Sequence, residues 1–278
     1  MLNFDHEMTS ASFLLNHSHP KARELLAAGG VCPRELWRRL LARYPSVARQ
    51  FAGARAVRPI ALVWRVQHWA ARAVGPRWLL LPSAYCAHDA LFSTGIAWSL
   101  AGVERLGALF VFGGLSDGAA LAAYDDLLAA EADHVSRLVQ GAYLARDDWR
   151  LFVPFSLLYF AAASFGEASR RLRPEARDWT WEGFLGARDP VLAPAVVAGV
   201  ERLGALLAGG RRPSAAEAAG FVDWVAATIA PRNVAGLADP ARGDLYPVDF
   251  ALLIAGAHLL GMTPDEVQAA LPRLRKQR

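Results

Sequence analysis

The sequence predicts an α+β protein in which a partial β-sheet with helices precedes a mostly helical region. Short β-prone runs lie before residue 94, whereas the rest of the chain carries long apolar stripes at helical spacing. Hydrophobic residues make up 54% of the 278 residues and charged residues 20%, which is enough to form a sizeable core. We therefore predict two parts, residues 1–93 and residues 94–278.

The first part is predicted to mix strands and helices. β-prone runs occupy residues 9–17, 58–69 and 76–82, and we expect a strand in each of them. Residues 33–52 are predicted to be helical, because Leu36, Trp37, Leu40 and Leu41 recur at helical spacing and Pro33 stands at a permitted helix start. Strands next to a helix of this kind favour the α+β class.

The second part is predicted to be helical throughout. A helix follows the turn at residues 94–95, and Asp117 is the expected N-cap of a long amphipathic helix that extends to residue 148. Thr263 and Glu266 form the pattern of a capping box at the last helix. The remaining helices are predicted at residues 149–172, 190–208, 214–229, 247–260 and 263–271.

The charge is distributed unevenly along the chain. Residues 1–80 hold 12 Lys and Arg against 4 Asp and Glu, whereas residues 81–278 hold 18 against 22. A basic first part could face nucleic acid, an acidic partner or a phosphate-bearing cofactor, and the alternative is a solvated, arginine-rich surface. Because no DNA- or RNA-binding module is recognisable in it, nucleic-acid binding is not predicted.

The chain is expected to be cytoplasmic and not to span a membrane. Its N-terminus carries acidic residues and no apolar segment of a signal peptide. The longest apolar runs, residues 151–165 and 248–262, are shorter than the ~20 residues that a bilayer requires. Cys32 and Cys86 lie too far apart for a CxxC motif, so we expect two buried thiols and no thiolate metal site.

The stretch HDALFSTGIAWSL contains the most distinctive turn of the sequence. It runs from a β-prone segment through Asp89 to Ser93, Thr94 and Gly95, where a helix begins. A helix start presents unpaired backbone N–H groups, and a glycine there lets an anion or a flat ring approach the main chain. The alternative is an ordinary helix cap in which the side chain of Ser93 or Thr94 accepts a hydrogen bond.

Three stretches resemble flavin-dependent oxidoreductases related to the tryptophan halogenases. Residues 67–106 resemble the segment in which a D-P-x-x-S-x-G turn leads into a long helix, and residues 124–163 and 229–250 resemble the helical C-terminal region. The resemblance implies that Asp89, Ser93, Thr94 and Gly95 face the FAD cofactor. It also implies a small aromatic substrate, and a halide pocket made by the backbone N–H groups at the last two of these residues.

The chain departs from that family at several positions. Ala90 stands where the family has proline, Tyr85 and His88 are bulkier than the family's residues, and neither Lys21 nor Lys276 matches the halogenating lysine. No G-x-G-x-x-G motif occurs, so the FAD-binding Rossmann half of the family is expected on a separate polypeptide.

Two hypotheses for function follow. In the first, the chain is the C-terminal half of an FAD-dependent monooxygenase or halogenase, and it needs that separate half for activity. In the second, it is a catalytically inactive remnant, or a module that binds a small molecule or a partner on the same scaffold. The sequence decides neither between them nor between oxygenation and halogenation.

Other polar clusters are interpreted as structural. Asp125, Asp126, Glu131 and Asp133 lie on one amphipathic helix and are expected on its solvated face. Glu131 and His134 have the Glu-x-x-His spacing of di-iron bundles, but no second copy of that motif exists, so we expect both on the polar surface of the helix and predict no metal site.

Overall fold

The computed structural model describes residues 2–4, 8–16, 19–27, 32–173, 183–239 and 249–275. It is mostly helical (67%), with a few short antiparallel strands, in agreement with the α+β class. The strands are β1 Leu2–Phe4, β2 Met8–Ser10, β3 His68–Trp69, β4 Val74–Gly75, β5 Trp78–Leu79 and β6 Cys86–Ala87. The α-helices are α1 Pro20–Ala27, α2 Pro33–Arg43, α3 Pro45–Gln50, α4 Pro82–Tyr85, α5 Gly95–Val111, α6 Gly118–Ala145, α7 Trp149–Leu172, α8 Leu192–Leu206, α9 Ala215–Ile229, α10 Phe250–Ala255 and α11 Pro264–Arg275.

Contacts within the chain group it into two compact units, residues 1–65 and residues 66–278. The first unit contains β1, β2 and α1 to α3, and the second contains all the other elements. The change from short strands to long helices, which the sequence predicts at residues 93–94, lies inside the second unit.

The first unit is built around the amphipathic helix α2. Leu36 and Leu40 are buried on one face of this helix, and the ring of Trp37 lies 4.8 Å from that of Phe13. The helix predicted over residues 33–52 is present but divided between α2 and α3, which begins at the proline after Tyr44. A residue before proline is disfavoured in the helical conformation, which explains the break.

The strands are shorter than the sequence predicts. Within the ranges that the structure describes, the strands form two-stranded antiparallel sheets, in the pairs β1–β2, β3–β6 and β4–β5. In the predicted strand at residues 58–69 only the last two residues pair with another strand. The prediction for residues 58–67 is therefore wrong, because no other segment in the described part of the chain lies beside them to complete a ladder.

The second unit is a helical assembly centred on α6 and α7. Helix α7 packs against α6, α9 and α11, while α6 packs against α8. Gly141 of α6 permits the close approach of α7, because a Cβ atom there would lie 2.0 Å from the ring of Phe155. The core side chains of these helices are largely aliphatic, and they include Leu138, Leu151, Leu158, Leu203, Val225 and Ile229.

Helix α7 is, in the ranges that the structure describes, the single helix long and apolar enough to cross a bilayer by length and composition. Its fully buried residues, which include Phe155 and Leu158, contribute to the core of the second unit. Packing of this kind is typical of a core helix, which agrees with the expectation that the chain has no membrane span.

Most of the predicted helix boundaries are confirmed. The side chain of Asp117 accepts a hydrogen bond from the N–H of Ala119, and Thr263 and Glu266 form the predicted capping box. The helix predicted over residues 247–260 is shorter, since α10 ends at Ala255 and a 3-10 turn follows. Residues 247 and 248, like residues 240–246 of the region that carries the family resemblance, lie outside the described residues.

The expectation of two buried thiols is half wrong. Cys86 is buried in β6, and burial raises the pKa of its thiol to about 11, so it stays protonated at neutral pH. Cys32 is exposed, because it stands at the N-terminus of α2, outside the face that carries the buried leucines.

Candidate functional site

The predicted turn is a short 3-10 turn held by the side chain of Asp89. This carboxylate accepts a hydrogen bond of 3.0 Å from the N–H of Leu91, as an N-cap does. Ser93 then adopts a left-handed backbone with φ 53°, and its N–H donates to the carbonyl of Ala90. A left-handed serine costs energy, so the contacts of this turn have to hold it in place.

Helix α5 begins after this turn without a side-chain cap. Thr94 is its N-cap residue and is buried, but neither the Thr94 hydroxyl nor the Ser93 hydroxyl accepts a hydrogen bond from the first turn. The alternative of an ordinary side-chain cap is therefore wrong at this helix. The N–H groups of Gly95, Ile96 and Ala97 have no acceptor within the helix, and all three residues are exposed.

Gly95 leaves open space beside the main chain at this helix start. A Cβ atom built on it would meet no other atom within 4 Å. An anion, or the electron-rich edge of a ring, can therefore approach the main chain at the positive end of the 17-residue helix. Asp89, Ser93, Thr94 and Gly95, the four residues predicted as the site, lie within residues 89–95, which lead into this helix start.

Two tyrosines support the turn from the bundle. The ring of Tyr159 on α7 stacks on Phe92 with 4.5 Å between centroids, and its hydroxyl donates to the Phe92 carbonyl. Burial raises the pKa of Tyr143 on α6, and its interaction with the carboxylate of Asp89 raises it further. Both tyrosines are therefore protonated at neutral pH, and they connect the turn to α6 and α7.

A buried ion pair lies farther along α5, where Arg105 stands ten residues after Gly95. Glu131 of α6 is fully buried and accepts two hydrogen bonds from Arg105 of α5, at 2.7 and 2.5 Å. It also accepts from the Nε1–H of Trp98, at 2.7 Å, and from the backbone N–H of Phe184. These four bonds join α5, α6 and the segment at Phe184, so they fix the direction of α5 below the open turn.

The burial of Glu131 shows that its interpretation as part of a solvated face is wrong. Asp126 and Asp133 are exposed as expected, while Asp125 is half-buried and accepts from the N–H of Ala73 at 2.6 Å. The signal that could have separated them is periodicity, because Glu131 falls on the same stripe as the buried Leu127 and Leu128.

His134 is also buried, which contradicts its expected place on the surface of α6. Its Nε2–H donates to the carbonyl of Leu185, at 3.0 Å. Burial lowers the pKa of this imidazole to about 4, so it is neutral at physiological pH. It does not join Glu131 in a metal site, and no group of three potential metal ligands gathers among the described residues.

His88, one of the two bulky residues before Asp89, lies over the ring of Trp98. The ring centroids are 5.3 Å apart, and Nδ1 lies 3.2 Å from the hydroxyl oxygen of Ser136. Its Nε2 is buried without a hydrogen-bond partner in the described structure, and burial lowers the pKa of the ring. Tyr85, the other bulky residue, is buried in the core of the second unit.

Comparison with known proteins does not assign the chain to a family. No protein-family model matches the chain, and a sequence search of the curated proteins finds no match. The open helix start, with backbone groups that can bind a ligand, is therefore the feature from which we infer function.

Proposed function

We propose that the turn from Asp89 to Gly95 is one wall of a flavin site in an FAD-dependent oxidoreductase of the monooxygenase or halogenase type. The observation that carries this proposal is the uncapped first turn of α5, with three exposed N–H groups and open space at Gly95. Such a helix start favours a halide or the polar edge of a flavin ring. A flavin bound there would supply the redox chemistry, and this chain would supply the N–H donors.

The residues present fit only part of FAD. Gly95 and the N–H groups beside it suit a ring edge or an anion, whereas the sequence contains no G-x-G-x-x-G turn to receive the pyrophosphate. We therefore propose that a separate dinucleotide-binding polypeptide completes the site, in the cytoplasm, and that a small aromatic molecule is the substrate. This chain alone is then expected to bind FAD weakly.

A titration with FAD tests the proposal on the intact chain. Gly95→Leu fills the open space with a side chain, so we expect the affinity for FAD to fall by about tenfold or more. Gly107→Leu is the matched control, because Gly107 lies on the same helix and a Cβ atom there also meets nothing within 4 Å. The visible absorption spectrum and the fluorescence of the flavin report binding.

Three results would contradict the proposal in different ways. Equal affinities of wild type and Gly95→Leu would remove the turn from the flavin site, as would the absence of any spectral change at saturating FAD. Purification of the chain with tightly bound flavin would instead remove the need for a second polypeptide.

A partner-binding module without catalysis is the second candidate, and the outer face of α5 favours it. Ile96, Leu100, Val103 and Phe110 share one stripe of this helix, and each is at least half exposed. A continuous apolar stripe of this length is unusual on a monomer and is typical of an interface. If this candidate is correct, Leu100→Glu will reduce self-association or partner binding in sedimentation experiments, whereas Val222→Glu on α9 will not.

A further inference from the structure

The end of the first unit, residues 55–65, is an irregular segment without internal hydrogen bonds, and its chain bends at residues 57, 58 and 64. The N–H of Ala54 still donates to the carbonyl of Phe51, but none of residues 55–65 takes part in a hydrogen bond within the described structure. Their backbone groups are left to solvent, although backbone donors and acceptors in folded chains are normally paired. We call residues 55–65 the docking segment.

The docking segment has the composition of a strand. Its sequence, RAVRPIALVWR, is rich in β-branched and aromatic residues, which favour pleated, half-buried positions. Val57, Val63 and Trp64 are each about two thirds exposed. Strand-forming side chains that are exposed along an unpaired backbone match the chemistry of β-augmentation, in which an extended segment completes the sheet of another polypeptide.

The charge around the docking segment selects the partner. Arg55, Arg58 and Arg65 lie in it, and no Asp or Glu occurs anywhere between Glu35 and Asp89. A second copy of the segment would place like charges opposite each other, which destabilises a strand pair. A nucleic acid would use the arginines, but it would leave the backbone groups and the exposed valines without partners.

Pro59 selects the edge of the segment that can pair. Along a strand, successive N–H groups point to opposite edges, so Pro59 removes a donor from the edge that it shares with Ala61 and Val63. The other edge, with Ile60, Leu62 and Trp64, keeps all its donors.

We propose that the docking segment pairs, through its Ile60–Leu62–Trp64 edge, with an acidic sheet edge of a separate polypeptide. The exposed, unbonded backbone and the absence of acidic residues carry this inference. It involves none of the residues of the flavin site, so it stands or falls separately from the proposed function.

Hydrogen exchange on the full chain tests the proposal. The probe is a synthetic, monomeric ten-residue peptide of alternating Glu and Val, and a peptide with Lys in place of Glu is its control. Binding is followed by fluorescence anisotropy, and amide exchange is followed by NMR. We expect the Glu peptide to bind and to protect the amides of Ile60, Leu62 and Trp64 more strongly than those of Ala61 and Val63.

A pair of proline variants separates strand pairing from simple attraction between charges. Leu62→Pro removes a donor from the pairing edge and should weaken peptide binding by about tenfold or more. Ala61→Pro, on the other edge, should change it by no more than about twofold. Leu62→Ala controls for the loss of the leucine side chain and should resemble wild type.

Several outcomes would overturn the proposal. These are no binding of the Glu peptide up to about 1 mM, equal effects of the two proline variants, or protection that does not alternate along the segment. If a single-stranded oligonucleotide binds more tightly than the Glu peptide, the arginines belong to a nucleic-acid site instead. Protection that rises with protein concentration, without peptide, would assign the segment to a second copy.

Discussion

Replacement of Glu131 by Gln tests the buried ion pair below the open turn. Glutamine keeps the shape of the side chain and can still accept from Trp98 or Phe184, but it removes the carboxylate charge that faces the guanidinium of Arg105. Arg105 is only 3% exposed, so water cannot take over that role. Removal of one partner from a buried pair typically costs about 3–5 kcal/mol in the free energy of unfolding.

Thermal and urea unfolding measure the effect. For a chain of this size, a loss of about 3–5 kcal/mol corresponds to a fall in Tm of about 6–20 °C. Asp133→Asn, two positions along the same helix, is the control, because its ion pair with Arg137 is exposed and should contribute less than about 1 kcal/mol.

The double variant Arg105→Met, Glu131→Gln shows whether the two residues act as a pair. Both charges are then absent, while the glutamine oxygen still faces Trp98 and Phe184, so the loss should be smaller than the sum of the two single losses by about 1–3 kcal/mol. Additive losses, or a Glu131→Gln variant within about 1 kcal/mol of wild type, would refute the argument.

Two further predictions concern the core of the second unit. The pKa of His134 is lowered by burial to about 4, so an unfolded chain takes up this proton near pH 6.5 while the folded chain does not. Its contribution to stability is therefore retained above pH 6.5 and lost as the pH falls towards 4. Between pH 7.5 and pH 5, the free energy of unfolding of His134→Gln, measured with urea, should fall by about 2 kcal/mol less than that of wild type. Gly141→Ala should destabilise the protein by about 1–3 kcal/mol, because its methyl group would meet Phe155, whereas Gly166→Ala on α7, which meets nothing, should stabilise it by up to about 1 kcal/mol. A Gly141→Ala variant as stable as wild type would contradict the first of these predictions about packing. A pH dependence of the unfolding free energy that His134→Gln leaves unchanged would contradict the prediction about His134.

The helices could be predicted from the sequence because their signals are local. Asp117 and Thr263 cap helices where their own spacing indicates, and each apolar stripe lies within a single helix. The strands could not be predicted to the same extent, since a run such as residues 58–67 becomes a strand only beside a partner, and partners are not encoded locally.

The turn from Asp89 to Gly95 could be located from the sequence, but the contacts that support it could not. The four candidate residues lie within residues 89–95, so the sequence alone keeps them close together. Glu131, Arg105 and Phe184 are far apart in the chain, and nothing in the local sequence of Glu131 distinguishes a buried carboxylate from a solvated one except its place on the apolar stripe.

The two open features of the chain should bind in different ways. The start of α5 is held by Asp89, by Tyr159 and by the ion pair below it, so its N–H groups are already ordered before a ligand arrives. The docking segment has no hydrogen bonds to order it, and a partner must fix its backbone on binding, at a cost in conformational entropy for each residue. A small anion or ring can therefore bind at α5 through few contacts, whereas the docking segment needs a partner that supplies a whole row of backbone hydrogen bonds.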